Sequence, residues 1–353
     1  MPGSLRLTTF KDVDLTDPFF DSLKAQYAEF PEWFAKKGKV AEPVYVVDDD
    51  ASGALRGFVY LKREDGTIED VTPPLPAAPR LKVGTLKVVA KGTKLGERII
   101  KRIFDRAVEE GVVEIYVTVF DTHQKLIDLF KRYGFEQKGV KDTPNGTELV
   151  LVRSLTSLTG DLIKDYPYVH VNGRDIYLLA IRPQWHTDLF ADSILKTEDP
   201  EIVKDVSHSN TIHKVYVAGL SLTRMKRGDI VVMYRTTDIP SRAKYRSVAT
   251  SICVVEETLS RKDFPNAKAF VDYAEPHSVF SSEELEFQYN NANRLYVAKM
   301  TYNIALHRRI TRQRLMEIVG ISEHPRWDLR SLTRQQFNKI LELGLVNETL
   351  IVD

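Results

Sequence analysis

The sequence predicts two domains in series: an α/β domain over residues 1–155 and a β-rich α+β domain over 166–353, joined by a linker at 156–165. Three observations predict this. The chain has 353 residues, and a domain takes roughly 100–200. The first half alternates short β-rich runs with longer amphipathic ones, the order of an α/β fold. Beyond residue 165 the register changes to one apolar strand after another, separated by turns or short helices.

Composition narrows the class before any motif is read. With 43% hydrophobic and 28% charged residues, the chain lacks the low hydrophobicity of a disordered protein. Its 50 Lys and Arg against 49 Asp and Glu exclude a polyelectrolyte. Basic and acidic residues also balance on both sides of Arg153, so gross charge marks no nucleic-acid arm. A local basic patch is still enough to hold a phosphate backbone. The single cysteine, Cys253, can form neither an intramolecular disulfide nor a multi-cysteine zinc site. The opening MPGSLRLTTFKDVDLTDPFF lacks the apolar stretch of a signal peptide, and no run of about 18 apolar residues predicts a membrane helix. The expectation is a cytoplasmic chain without a membrane partner.

The elements follow in order. PVYVVDDDA and LRGFVYLKRED (43–51 and 55–65) read as a strand pair around a turn at Asp50–Gly53. LKVGTLKVVA (81–90) is β-rich. After it, Leu95, Ile99, Ile100, Ile103, Phe104, Ala107 and Val108 recur at helical spacing, while Glu97, Arg98, Lys101, Arg102, Asp105 and Arg106 fill the other face. Gly111 is placed as the stop. VVEIYVTVF (112–120) is the continuous apolar strand of a sheet covered on both faces. HQKLIDLFKRYGF (123–135) predicts a short helix, and Pro144–Asn145–Gly146 turn the last hairpin into TELVLVRSL. In the second half, RDIYLLAIR, IHKVYVAGL, DIVVMYRT, RSVATSICVVEET and RLYVAKMTYNIAL read as strands. Two helices close the chain, TRQRLMEIVG and RSLTRQQFNKILELG; the second has Thr333 and Gln336 at capping-box spacing and Gly344 as its stop.

The stretch that carries chemistry is TLKVVAKGTKLGERIIKRIF, a strand running into a glycine-bearing loop and at once into a helix. Gly92 permits a tight turn, and Gly96 lets a ligand approach the backbone without meeting a side chain. The first helix amides have no intrahelical partner and favour a phosphate. Lys91 and Lys94 add positive charge there. A purely structural turn has the same outline, since many strand–loop–helix units carry two glycines.

This segment resembles the acetyl-coenzyme A loop of the GNAT N-acetyltransferases, Arg/Gln-x-x-Gly-x-Gly/Ala. Lys91 stands at the Arg/Gln position, Gly92 and Thr93 at the variable places, Lys94 at the first glycine and Gly96 at the last. The resemblance runs over about residues 4–154 and includes Tyr133–Gly134–Phe135, similar to the family's Leu-Gly-Phe. It implies a mixed sheet and bound acetyl-CoA. Lys91 to Leu95, Gly96 and Glu97 would lie around the pyrophosphate, and Leu86, Lys87 and Val88 would pair with the pantetheine arm. Strand amides near Val88 would hold the oxyanion. His123 stands where an asparagine often contacts the coenzyme. Phe130 replaces the tyrosine that protonates the departing thiolate, and a phenyl ring has no proton to give. Tyr133 is the nearest phenol, while Glu69, Asp70, Glu114 and Thr118 are available as bases; no spacing singles out an acid or a base.

YLLAIRPQWHTDLFADSIL, MKRGDIVVMYRT and SVATSICVVEET look similar to PUA-like β-barrels, the group that includes ASCH and EVE modules. Such a barrel implies binding of RNA or a modified base in an aromatic-walled cleft. The ASCH amidohydrolase signature Gly-x-Lys-x-x-Glu-x-Arg is not evident. Trp185, His186, Phe190, Tyr216 and Tyr234 are the cleft candidates; Lys214, Arg224, Lys226, Arg227, Arg235, Arg242, Lys244 and Arg246 are the phosphate candidates. Of these, Trp185, His186, Arg227, Tyr234, Arg242 and Lys244 are the residues expected to bind nucleic acid. His186, His208 and His213 lack the spacing that fixes two metal ligands on a helix, so no metal is expected. The functional expectation is an acetyl-CoA-dependent N-acetyltransferase whose acceptor amine lies on RNA, a nucleobase or an aminoacyl-tRNA. The alternatives are a protein or small-molecule acetyltransferase, and a non-catalytic RNA reader.

Overall fold

Continuous runs of branched and aromatic residues build the central strands of the first half's sheet, and the amphipathic stripes cover it. The computed structural model describes residues 2–49, 52–89, 94–190, 210–324 and 327–353. Its contacts divide the chain into two units, Met1–Asp165 and Tyr166–Asp353.

In the first unit the order is β1 (Pro2–Thr9), α1 (Asp21–Gln26), α2 (Phe30–Lys39), β2 (Pro43–Asp49), β3 (Leu55–Glu64), β4 (Arg80–Val88), α3 (Leu95–Glu110), β5 (Glu114–Phe120), α4 (Gln124–Arg132), β6 (Glu136–Thr143) and β7 (Gly146–Ser154). The seven strands lie in the order β1-β2-β3-β4-β5-β7-β6. β4 and β5 run parallel while their other neighbours are antiparallel, so the sheet is mixed, as expected. The helix stripe of α3 is buried from Leu95 to Ala107, and Gly111 ends it in the left-handed conformation at φ 61°. Arg98 and Lys101, expected on the open face, are buried as well; Lys101 Nζ meets Asp105 at 2.9 Å. On the other face, Phe10, Phe20, Phe34 and Phe58 form an aromatic core under α1 and α2. Residues 156–165, expected as a linker, close a turn of this unit. Buried Asp165 accepts hydrogen bonds from the amides of Thr159 and Gly160 at 2.7–3.1 Å.

The second unit contains β8 (Val169–His170), β9 (Ile176–Ile181), α5 (Pro183–Leu189), β10 (His213–Ala218), β11 (Ile230–Arg235), α6 (Ala243–Arg246), β12 (Val248–Ser260), α7 (Ala267–Ala274), α8 (Ser282–Asn291), β13 (Tyr296–Thr311), α9 (Arg312–Glu317), β14 (Leu329–Leu332), α10 (Arg334–Gly344) and β15 (Ile351–Val352). Its main sheet has the order β10-β13-β12-β11-β9-β14. In a flat sheet four strand spacings, about 19 Å, would separate β10 from β9. Yet Tyr216 Oη on β10 donates to Ala180 O on β9 at 3.3 Å. The sheet is therefore rolled around its own core, and bulges in β12 supply the bend. α10 has the Thr333–Gln336 capping box. Gly344, expected as its stop, is its last helical residue, and Leu345 takes the left-handed conformation instead. A Cβ on Gly344 would stand 2.8 Å from Leu306 Cδ2, so packing sets the glycine there. Among the described residues no helix is long and apolar enough to cross a membrane.

Candidate active site

β4 and β5 begin as paired parallel strands and then part. Their register runs from Arg80 opposite Glu114 to Val83 opposite Val117 and ends there. β4 stays on β3 as far as Val88, and β5 stays on β7 as far as Phe120. Gly84–Val88 and Thr118–Phe120 therefore face each other across a gap in the middle of the sheet. The cause is local. Tyr60 pairs with Thr85 and Leu61 with Val83, leaving Gly84 as an extra residue that bulges and turns β4 aside. A Cβ at Gly84 would meet Tyr60 Cδ1 at 2.8 Å. Tyr60 has little freedom to yield, because its hydroxyl donates to Glu42 at 2.8 Å and accepts from Lys37 at 2.7 Å. Although β4 is a central strand, Gly84 is exposed and Thr85–Val88 are only half-buried.

The gap has a defined polarity. Val89 N donates to Arg56 O at 2.8 Å, so that amide faces β3. By the alternation of a strand, the amides of Val88 and Leu86 point the other way, toward the gap. Lys87 points to the α1 face, where its ammonium donates to Ser22 Oγ at 2.5 Å and to Phe19 O.

Lys91, Gly92 and Thr93 lie outside the described residues. Lys94 is the N-cap residue of α3, and Glu97 sits in the first turn. Leu95 is buried. At Gly96 an added Cβ would stand 3.0 Å from Leu129 Cδ2, so this glycine also serves close packing of α3 on α4. Phe130 is buried against Phe135, with ring centroids 4.8 Å apart. Tyr133 is buried against Phe104. His123 is the exposed N-cap of α4, and its Nε2 accepts from Gln26 Nε2 at 3.1 Å.

Three residues of this site were not singled out from the sequence: Gly84, Tyr27 and Glu148. Tyr27 Oη donates to Glu148 Oε1 at 2.6 Å, and its ring lies 5.4 Å from that of Phe120. Burial and then the bond to Glu148 push the Tyr27 hydroxyl well above its ordinary pKa, so it stays a donor. Glu29 accepts from Asn145 Nδ2 at 3.0 Å beside this pair. A glycine inside an apolar strand was a readable signal for Gly84. Nothing local marks Tyr27 or Glu148.

The second unit sorts its candidates differently from the expectation. His186 and Tyr234 are 0% and 2% exposed and present no ring face to a base. His186 Nε2 shares a 2.8 Å hydrogen bond with Thr250 Oγ1; burial and the charges of Arg235 and Arg309 push its pKa down to about 3. Tyr234 packs on Trp327. Trp185 is half-buried against Phe280. Phe190 is core, and the Tyr216 hydroxyl is raised to about 12, chiefly by burial. Arg227 donates to Glu256 O at 3.3 Å at the start of β11. Arg242 and Lys244 follow the other end of that strand, about 17–20 Å away at 3.3 Å per residue. The basic residues expected as one surface are thus two groups.

The second group gains members from β13. Three extra residues bulge there between Ala305 and Ile310, presenting Arg308. Arg312 N bonds Ser247 O at 2.8 Å, which joins α9 to α6. Arg242, Lys244, Arg246, Arg308, Arg312 and Arg314 therefore collect at one end of the sheet. Arg246 pairs with Asp238 at 3.4 Å. Among them Tyr245 is 66% exposed, a ring open to stacking that the sequence reading had not chosen.

No family model and no curated protein matches the chain. Solved structures similar to parts of it include ASCH from Zymomonas mobilis, at 14% identity over 48% of this chain and 94% of that one, with a TM-score of 0.32. Naa50 of Arabidopsis thaliana in complex with a bisubstrate analogue, CoA-Ac-MVNAL, is 18% identical over 43% of this chain and 99% of that one, with a TM-score of 0.30. A chain of the NatC complex bound to Gag peptide and CoA is 16% identical over 43% and 99%, also at 0.30. Likenesses this distant leave the chemistry to be read from the residues.

Proposed function

We propose that the first unit is an acetyl-CoA-dependent N-acetyltransferase. The observation that carries this reading is the gap between β4 and β5, beside the strand that precedes α3 in the chain. Backbone amides left without a strand partner invite a ligand that adds as one. The pantetheine arm of coenzyme A, with its two amides, suits the edge at Leu86 and Val88. The diphosphate would then meet the first turn of α3, where the amides of a helix start and the charge of Lys94 favour an anion. His123 and Glu97 flank that path. When bound, the coenzyme supplies an activated acetyl group; the chain supplies orientation and amide donors for the oxyanion.

The acceptor in this reading is an amine on RNA, on a nucleobase or on an aminoacyl group carried by RNA, and the second unit binds the nucleic acid. The basic group around Arg242, Lys244 and Arg314, with Tyr245 exposed among it, supports this, since cations beside a free ring fit single-stranded nucleic acid. Titration calorimetry of the full chain with acetyl-CoA tests the coenzyme reading. Binding is expected, and Gly96→Asp should weaken it at least tenfold by repelling the pyrophosphate. No binding by the wild type overturns the reading. Phe130, which has no proton to give, favours a second reading, a coenzyme-binding RNA reader without turnover. Acetyl transfer or hydrolysis by the purified protein separates the two.

A further inference from the structure

Glu148 is an ill-placed residue unless something cationic visits it. It lies on β7 opposite Phe120, beside the end of β5 that borders the gap. It is 5% exposed, and its side chain's one hydrogen bond among the described residues is the 2.6 Å bond from Tyr27. Among those residues no lysine or arginine pairs with it. Lys141, opposite it on β6, is turned instead to Asp70. Glu29, the other charged group acting on Tyr27, is acidic as well and pairs with Asn145. A buried carboxylate without a counter-charge is costly to keep. A cationic ligand would supply the missing counter-charge.

We propose that Glu148 forms the acceptor subsite for an aliphatic ammonium, with Tyr27 as its positioning residue. This rests on the acetyltransferase reading and narrows its substrate class. An α-amine of an aminoacyl group or a similar aliphatic amine arrives as an ammonium and pairs with the carboxylate. The exocyclic amine of a nucleobase is neutral and gains nothing from it. Glu148 takes one proton from the ammonium and passes it to solvent. The freed lone pair attacks the thioester carbonyl, the C–N bond forms and the C–S bond breaks. The second proton leaves the nitrogen for the departing thiolate, giving the amide and the free thiol.

The test uses the full chain with acetyl-CoA and three probes: puromycin and putrescine as aliphatic amines, and cytidine as an aromatic one. Acetyl transfer to an aliphatic probe and none to cytidine is expected. Glu148→Gln should lower kcat/KM at least 100-fold while coenzyme affinity in calorimetry stays the same, and Glu148→Asp should restore part of the rate. Tyr27→Phe, which removes the 2.6 Å bond that fixes the carboxylate, should raise KM for the aliphatic probe more than it lowers kcat, as loss of positioning rather than of the acceptor group would. Transfer to cytidine alone, failure of both aliphatic probes, or full activity in a folded Glu148→Gln variant overturns the subsite while leaving coenzyme binding intact. A wild type that binds no coenzyme overturns the acetyltransferase reading, and the subsite with it.

Discussion

The sheet of the first unit and the sheet of the second treat their unpaired backbone in opposite ways. In the first, β4 and β5 part at Gly84 and leave β4 amides facing a gap in the middle of seven strands. In the second, the strands roll until Tyr216 on one side reaches Ala180 four strands away, and the interior fills with side chains. On the function proposed above, the difference separates two kinds of recognition. Backbone edges and a helix start bind by geometry, so the residue that matters is the one without a side chain. The rolled sheet keeps its edges at β10 and β14 and has no such gap between its paired inner strands, so the proposed recognition there falls to cations and a ring at one end.

That contrast breaks most visibly at Gly84. Gly84→Ala would press a Cβ against Tyr60, which is held by Glu42 and Lys37. Overpacking of this kind costs about 1–3 kcal/mol, and coenzyme affinity should fall with it. Urea unfolding and calorimetry read the two effects. A variant as stable and as tight-binding as the wild type would mean that the bulge does not make the gap.

The filled interior of the second unit is probed by pH. His186 is held neutral by burial and by Arg235 and Arg309, with its pKa down to about 3. An unfolded imidazole titrates near 6.5, so below that pH the unfolded chain binds a proton that the folded one refuses. The stability is therefore present above about pH 6.5 and is lost as pH falls toward 3, by about 1.4 kcal/mol per unit. Urea unfolding at pH 7 and pH 5 should differ by about 2 kcal/mol from this group alone. His186→Gln should remove that share of the slope; an unchanged slope would place the acid sensitivity elsewhere.

The smallest effect concerns the cations at the end of the rolled sheet. Fluorescence anisotropy with a single-stranded RNA should give a salt-dependent affinity, because phosphate binding releases condensed counterions. Replacing Lys244 and Arg314 by alanine should flatten the salt slope by roughly one unit for each phosphate left without its cation. If Arg227→Ala flattens it equally, the binding surface includes the opposite end of β11.

Much of the architecture was legible in the sequence, because its signals are local. The α3 stripe from Leu95, its stop at Gly111, the hairpin at Asn145 and the Thr333–Gln336 capping box depend on residues a few positions apart. Less of the site was legible. Nothing in the sequence marks Glu148, and Tyr234 and His186 read as candidates for a cleft. Their burial depends on what packs over them.

The sequence by itself determined the two-part organisation, the central strands β2 to β5 and the α3 stripe with its stop. The strand at 2–9 and the helices at 21–39 and 267–291 were not read from it. Only the tertiary structure decided where β4 leaves β5, which carboxylate is buried without a counter-charge and which aromatic ring reaches solvent. The physical reason is range. Helical stripes and caps are set by neighbours three or four residues away, whereas Tyr27 meets Glu148 across 121 positions of sequence. No local pattern encodes such a pair; it exists because the pairing of β5 with β7 carries Glu148 under the segment between α1 and α2.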